Sequence, residues 1–298
     1  MTTYSIHSKS IFLTLLALTA LAGAPPTGRA QTILGSAQDF SLLAKTSITN
    51  NGPTTLINGN VGLSPGTSIT GFQAVDGGTA VVVNGSVIIG GTATPAVADF
   101  QTVFTALANM PFDTDLSSQD LGGMILFPGV YRFNVAATQA LSTTLTLDAQ
   151  GKTNVFWVFQ MAETLITGAN TNILLINSPD NGKSDGLFWD VHTAITFGAS
   201  SAEMGNYLAG TSITYGGTTT GSGARAFAQA AITLDSNSVN TQTPAGGDFT
   251  GALMYNSSGA VVPLVIPEPA AFLWLAPLGA MGVAVWRRKR AGVKINQK

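Results

Sequence analysis

Large apolar residues alternate with small or polar ones in several short segments of this chain. In Ala194–Phe197 and Ser212–Tyr215, the odd-numbered positions are bulky and the even-numbered positions are small or hydroxylated. A period of two is typical of a β-strand with one buried face, so the pattern predicts strands. The residues expected to point inward are Ile195, Phe197, Ile213 and Tyr215, and those expected to point outward are Ala194, Thr196, Ser212 and Thr214.

A four-residue phrase recurs along the chain: Thr, a small or apolar residue, Ile or Leu, and Thr. Within the N-terminal pair and the C-terminal series, successive copies start about twenty residues apart, except for one longer step with an insertion around Ser178–Gly186. This recurrence is typical of one coil in a stacked β-solenoid. The copies are Thr46–Thr49, Thr67–Thr70, Thr143–Thr146, Thr164–Thr167, Thr193–Thr196 and Thr211–Thr214, with a degenerate copy at Ala230–Thr233.

The outward threonines predict a ladder on one face of the stack. Strands stacked in register lie about 4.8 Å apart, and β-branching holds each threonine in few rotamers. Such a face would be flat, stiff and weakly polar, so little side-chain entropy is lost when it binds a rigid surface. Alternatively, threonine occurs here only because it is a favourable strand residue. The residues expected in the ladder are Thr146, Thr167, Thr196, Thr214 and Thr233.

One segment breaks the β pattern. Thr94-Pro95 can start a helix and Met110-Pro111 can end it, so we expect a helix over about residues 95–110. Within it, apolar residues recur on one helical face, which we expect to pack along the stacked strands. The residues of that face are Val97, Phe100, Val103, Phe104 and Leu107.

Charge and composition narrow the function classes. Only 9% of the residues are charged, and the body between the termini carries five Lys and Arg residues against fourteen Asp and Glu residues. A surface so poor in cations does not suit nucleic acid, which we exclude as a partner. The chain has no cysteine, and the body has one histidine, His192, so a catalytic triad or an imidazole metal cluster cannot be built. We therefore predict no enzymatic activity, no metal and no cofactor.

Both termini carry targeting patterns. Residues 1–30 have the apolar run and small-residue ending of a secretory signal peptide. At the other end, Pro267-Glu268-Pro269 precedes an apolar run at 270–286 and the basic cluster Arg287–Arg290. This tail, residues 265–298, resembles the PEP-CTERM sorting signal, and the run is long enough for a transmembrane helix. The resemblance implies processing by an exosortase-type peptidase and a secreted or cell-surface protein that is transiently anchored; a simple membrane anchor is the alternative.

Several long motifs occur in a fixed order in the body, residues 31–264. Together they resemble the microbial ice-binding-like family from about Ile33 to Asn240. The resemblance implies an all-β dominated fold, a right-handed discontinuous β-helix with one long α-helix packed alongside. The motifs are Leu34–Lys45, Asn58–Pro65, Leu121–Gly123, Phe127–Tyr131, Leu147–Gly151 and Val155–Gln160.

In that family, the ice-binding members use one flat β-face, often marked by Thr-Ala/Gly-x-Thr/Asn phrases. Thr193–Thr196 matches this phrase fully, Thr211–Thr214 departs at one residue, and Ala230–Thr233 lacks the leading threonine. The resemblance and the outward parity together give the candidate ice-binding residues. They are Thr146, Thr167, Thr193, Ala194, Thr196, Thr211, Ser212, Thr214, Ala231 and Thr233.

Two functions stay open at this point. The first is an extracellular protein that adsorbs to the ice crystal surface through the threonine-rich face, as an antifreeze or as an inhibitor of ice recrystallisation. The second is a cell-surface adhesin or structural protein of the exopolysaccharide matrix, which the sorting-like tail favours. Outward threonine and alanine favour the first function, whereas exposed aromatic and acidic residues on the same face would favour the second.

Overall fold

The computed structural model describes residues 32–140 and 142–264. The predicted signal peptide, the sorting motif Pro267-Glu268-Pro269 and the predicted transmembrane run at 270–286 lie outside these ranges. Within them, no helix is both long enough and apolar enough to span a membrane.

Short strands dominate the described part of the chain, with three helical segments. The helical segments are a 3-10 helix at Gly35–Asp39, α1 at Gln73–Asp76 and α2 at Ala93–Ala108. The strands are β1 Phe40–Ala44, β2 Ser47–Asn50, β3 Leu56–Asn58, β4 Asn60–Leu63, β5 Ser68–Thr70, β6 Val81–Val83, β7 Val87–Ile89, β8 Thr114–Asp115, β9 Ile125–Leu126, β10 Gly129–Phe133, β11 Ala137–Gln139, β12 Thr144–Asp148, β13 Phe156–Met161, β14 Leu165–Thr167, β15 Asn172–Ile176, β16 Gly186–Val191, β17 Ile195–Phe197, β18 Ala202–Ala209, β19 Ile213–Tyr215, β20 Thr220–Ala228, β21 Ala231–Leu234, β22 Ser238–Asn240, β23 Leu253–Tyr255 and β24 Val261–Pro263.

Two parallel sheets account for all of these strands except the antiparallel pair β23–β24. The seven-stranded sheet has the order β11-β14-β17-β19-β21-β2-β5. The fifteen-stranded sheet has a main path of β6-β3-β22-β20-β18-β16-β13-β10-β8, and its other six strands pair beside that path. An all-β dominated architecture with parallel sheets is therefore present.

The order of strands in the stack differs from their order in the chain. The N-terminal strands stack beyond the C-terminal ones, because β2 pairs with β21, β3 with β22, and β1 with β20. Arg225 on β20 fastens this seam: its Nε donates to the Gln38 carbonyl at 3.0 Å, and its Nη1 donates to the Asp248 carbonyl at 2.9 Å. The N-terminal and C-terminal parts of the described chain are thus paired, and residues far apart in sequence become neighbours.

The inward positions of the strands form one apolar core. Ile195, Phe197, Ile213 and Tyr215 are all buried, which confirms the parity predicted from the alternation. Aromatic rings from neighbouring strands stack in sequence through this core. The centroid separations are 5.5 Å for Tyr131–Phe159, 4.1 Å for Phe159–Trp189 and 5.4 Å for Trp189–Tyr207.

Helix α2 packs on the outer side of one part of the fifteen-stranded sheet, against β1, β4, β13 and β16. Its buried residues include Val97, Phe100, Val103 and Leu107, and they share a second apolar cluster with residues of the sheet. Phe100 meets Phe227 at a centroid distance of 5.7 Å. Phe104 was expected on the same buried face but is only half-buried. It lies at the edge of the face that packs on the sheet, and its ring centroid is 5.2 Å from that of His192. The helix leaves the seven-stranded sheet uncovered.

Candidate functional site

The outer face of the seven-stranded sheet carries a column of side chains in register, which we call the threonine ladder. Each of its residues is the Cα partner of the next across the parallel pairs. Every member has a side chain that is exposed or half-buried. In stack order the ladder is Thr138, Ile166, Thr196, Thr214, Thr233, Thr49 and Thr70.

The strands hold the ladder in place through the residues on either side of it. Ile213 and Tyr215 are buried on both sides of Thr214, so the pleat directs the Thr214 side chain outward. Neighbouring ladder residues lie about 4.8 Å apart, as strand pairing requires. Thr70 also donates from Oγ1 to Thr49 Oγ1 at 3.3 Å. The result is a row of methyl and hydroxyl groups with little conformational freedom.

A second column of small side chains runs beside the ladder. Ser47 is the Cα partner of both Ala231 and Ser68. Ala194 and Ser212 hold the equivalent place just before β17 and β19, because each precedes a paired isoleucine, and both are half-buried. Neither this column nor the ladder contains a charged or aromatic side chain. Beyond the end of the ladder, the half-buried Asp120 pairs with Thr138 and its carboxylate accepts the Thr138 hydroxyl at 2.6 Å.

Two further candidates lie at the edge of the face. Thr193 and Thr211 are adjacent across the stack, since the Thr211 N–H donates to the Thr193 carbonyl at 2.8 Å. Thr211 is exposed, whereas Thr193 is half-buried. Each lies two residues before a ladder strand begins, and the hydroxyl oxygen of Thr193 is buried without a hydrogen-bond partner.

The predicted orientation of Thr167 is wrong. Its side chain is only 5% exposed and points into the core, where Oγ1 donates to Glu203 Oε1 at 3.3 Å and accepts the Gly198 N–H at 3.1 Å. Leu165 and Thr167 are both buried on this strand, so Ile166, 46% exposed, takes the place in the ladder. The parity of this copy is therefore shifted by one residue.

The predicted position of Thr146 is also wrong. Thr146 lies on β12 in the fifteen-stranded sheet, where its Cα partners are Ile125 and Leu174. The equivalent position in the ladder is held by Thr138, one strand earlier. The Thr-Thr-Leu-Thr phrase at 143–146 thus marks a different face of the stack.

Besides Ile166, sequence reasoning missed three threonines of the ladder: Thr138, Thr49 and Thr70. Thr49 and Thr70 end recognised copies of the repeated phrase, but nothing local shows that their coils follow Thr233 in the stack. Thr138 lies in Ala137-Thr138-Gln139, which does not match the phrase. Alternation around buried Ala137 and Gln139 was the signal that could have found it.

A carboxyl group lies buried directly behind the ladder strands. Glu203 accepts hydrogen bonds from Tyr207 OH at 2.9 Å and from Thr167. Burial raises the pKa of the Glu203 carboxyl to about 7, and burial also raises the pKa of the nearby Tyr215 hydroxyl. The group is therefore protonated in mildly acidic solution and titrates around neutrality.

His192, the histidine of the body, lies just beyond the end of β16. Its Nε2 lies 3.4 Å from Asp190 Oδ2. Burial raises the pKa of Asp190 to about 6, and the hydrogen bond with that carboxyl raises the pKa of His192. Within residues 32–140 and 142–264, no three His, Cys, Asp or Glu side chains lie close enough together to hold a metal ion.

The structure defines a class of protein that presents one rigid surface. Its features are stacked parallel strands, a core of aromatic rings and a threonine ladder without charged side chains. A profile of the ice-binding-like family matches residues 42–240. An ice-binding protein of Nostoc sp. (strain HG1) is 37% identical over 233 residues, which cover 76% of this chain and 81% of the relative. The chain therefore belongs to the ice-binding-like family.

Solved structures agree with this assignment. The ice-binding protein from the Antarctic ascomycete Antarctomyces psychrotrophicus aligns with a TM-score of 0.64 and 36% identity, covering 72% of this chain and 99% of that one. An ice-binding protein from an Antarctic biological consortium aligns with a TM-score of 0.62 and 32% identity, covering 72% of this chain and 94% of that one.

Proposed function

We propose that this protein binds ice crystals through the threonine ladder and the small column beside it. The observation that carries the proposal is the register: six threonines and one isoleucine stand in one column across seven parallel strands. The ice-binding relatives support the same function.

The chemistry of the face suits a crystal surface. Each threonine offers a methyl group and a hydroxyl group that β-branching has already ordered. Little side-chain entropy is then lost on adsorption, so a large weakly polar contact becomes favourable. The ladder and the small column contain none of the aromatic and acidic residues that would favour polysaccharide or cell adhesion, and the carboxyl group next to the ladder, that of Asp120, is half-buried at its end. The proposed ice-binding residues are Thr138, Thr196, Thr214, Thr233, Thr49 and Thr70, with Thr193, Ala194, Thr211, Ser212 and Ala231 beside them.

The setting of this face is part of the proposal. We infer a right-handed, discontinuous β-helix. In it, α2 packs on strands of the fifteen-stranded sheet, away from the threonine ladder, and stabilises the stack. The protein acts outside the cell, after export by the N-terminal segment, and it works by adsorption and not as an enzyme. Processing by an exosortase-type peptidase at Pro267-Glu268-Pro269 and contact with exopolysaccharide would follow from the sorting-like tail.

The test compares ice recrystallisation inhibition and thermal hysteresis of the full chain with those of two double variants. Thr196→Tyr with Thr214→Tyr places two large rings in the middle of the ladder. Thr146→Tyr with Thr220→Tyr is the matched control, because both of these threonines lie on the fifteen-stranded sheet. We expect the ladder variant to lose most activity and the control to keep it. A folded wild-type chain without activity, or equal losses in the two variants, would overturn the proposal.

A further inference from the structure

The coil at one end of the stack, residues 68–89, presents three strand edges without a partner. Within the described residues, β5 pairs only with β2, β6 only with β3, and β7 only with β4. A free strand edge exposes N–H and C=O groups that can pair with another chain. We propose that this end coil docks against the same end coil of a second copy, so that the protein forms a closed dimer.

The end coil is apolar as well as unpaired. Val82 and Val87 pack against the core but are only half-buried. Together with Val75 and Ile89 they line a concavity of about 630 Å³. Val75 and Ile89 are exposed, at 42% and 45%. Large apolar side chains grouped around a concavity are typical of a surface that binds a protein partner.

Charge permits a second copy to approach at this end. Between Lys45 and Asp99 the sequence has one charged residue, Asp76. Its carboxylate accepts the N–H groups of Gly71 and Phe72 at 2.7 and 3.0 Å. Elsewhere the body is strongly acidic, so two copies repel each other over most of their surface. The end coil is where a second acidic body can approach with the least repulsion.

The strand edges at the opposite end of the stack are protected. Its strands β8 and β9 have only two residues each. Asp120 bonds to the Thr138 hydroxyl at 2.6 Å and to the Ala140 N–H at 3.0 Å, and Asp115 pairs with Arg132. Very short strands and acidic side chains are features that prevent edge pairing. One open end and one protected end produce a two-fold dimer and not a growing filament.

The two-fold arrangement pairs apolar strands with apolar strands. When β5 of one copy lies antiparallel to β5 of the other, β6 of each copy faces β7 of its partner. Val81–Val83 then meets Val87–Ile89, so two uncharged, valine- and isoleucine-rich strands pair on either side of the axis. Because β5 also carries Thr70, this arrangement would join the two threonine ladders end to end.

Sedimentation equilibrium of the full chain tests the proposal. Wild-type protein at micromolar concentration should have twice the chain mass. The double variant Val75→Lys with Ile89→Lys should be monomeric, with an unchanged circular dichroism spectrum, because both side chains are exposed. Ile125→Lys, a matched control at the protected end where Ile125 is 60% exposed, should remain dimeric.

Hydrogen exchange gives a second readout on the wild-type chain. The amides of residues 81–83 and 87–89 should become more protected as protein concentration rises. A monomeric wild-type chain, a dimer that survives in Val75→Lys with Ile89→Lys, dissociation caused by Ile125→Lys, or species that grow beyond a dimer would each overturn the proposal.

Discussion

Glu203 should make the stability of this protein depend on pH in an unusual direction. Its carboxyl is fully buried behind the ladder strands, and its folded-state pKa of about 7 lies above the ordinary value of 4.5. A carboxyl group whose pKa is higher in the folded state than in the unfolded state contributes its full stabilisation at pH values below the unfolded-state pKa. This contribution is lost as the pH rises through the folded-state pKa. Stability should therefore fall between pH 4.5 and pH 7.

The size of the effect follows from the shift. Each pKa unit corresponds to about 1.4 kcal/mol, so a rise from 4.5 to about 7 amounts to about 3 kcal/mol. Asp190, with a pKa raised to about 6, and His192, with a raised pKa, contribute in the same direction. Such a loss is a large part of the free energy of unfolding of a typical domain, which is roughly 5–15 kcal/mol.

Glu203→Gln isolates this contribution, because the amide stays neutral and can still accept the Tyr207 hydrogen bond. Urea unfolding of the wild type and the variant at half-unit pH steps from 4.5 to 8 would measure it. We expect the wild type to lose about 3 kcal/mol more than the variant across this range. Parallel pH profiles for the two proteins would refute the reasoning, since Glu203 would then titrate alike in the folded and unfolded states.

Three other substitutions test separate parts of the structure. Ile166→Thr should strengthen ice recrystallisation inhibition, measured as the lowest effective concentration, because it restores an uninterrupted ladder; equal or weaker activity would contradict this. Phe227→Ala removes the ring that packs on Phe100 and should cost about 3–5 kcal/mol in urea unfolding. A loss below about 1 kcal/mol would mean that α2 contributes little to stability. Asp190→Asn should lower the pKa of His192, followed by NMR titration of the imidazole, because the Asp190 carboxyl is what raises it; an unchanged His192 titration would contradict that cause.

Local strand structure could be predicted from the sequence because its cause is local. Each ladder strand buries one face, so a buried residue such as Ile213 enforces the period of two in its neighbours. The prediction failed where the pattern was ambiguous. Thr164-Leu165-Ile166-Thr167 places two apolar residues side by side, and period two then permits either parity. The buried Glu203 carboxyl decides the outcome, since an inward Thr167 hydroxyl can donate to it.

The stacking order could not be predicted, because its cause is not local. Thr49 and Thr233 are about 180 positions apart in sequence, and yet their strands pair. Alternation reports which way a side chain points but carries no information about which coil lies next to it. The seam depends instead on contacts such as those of Arg225, which link β20 to residues on both sides in sequence. Half of the candidate face therefore became visible only in the folded chain.

The division of the molecule into a buried side and an open side explains why the face can be specialised. Helix α2 protects one outer surface of the fifteen-stranded sheet, and the aromatic stack from Tyr131 to Tyr207 fills the core. Ladder residues such as Thr214 add their side chains to neither apolar cluster. Exposed substitutions of this kind usually change stability by less than about 0.5 kcal/mol. The residues of the ladder are thus constrained by the surface that they bind and not by the stability of the fold. Substitutions there should alter binding without altering the fold.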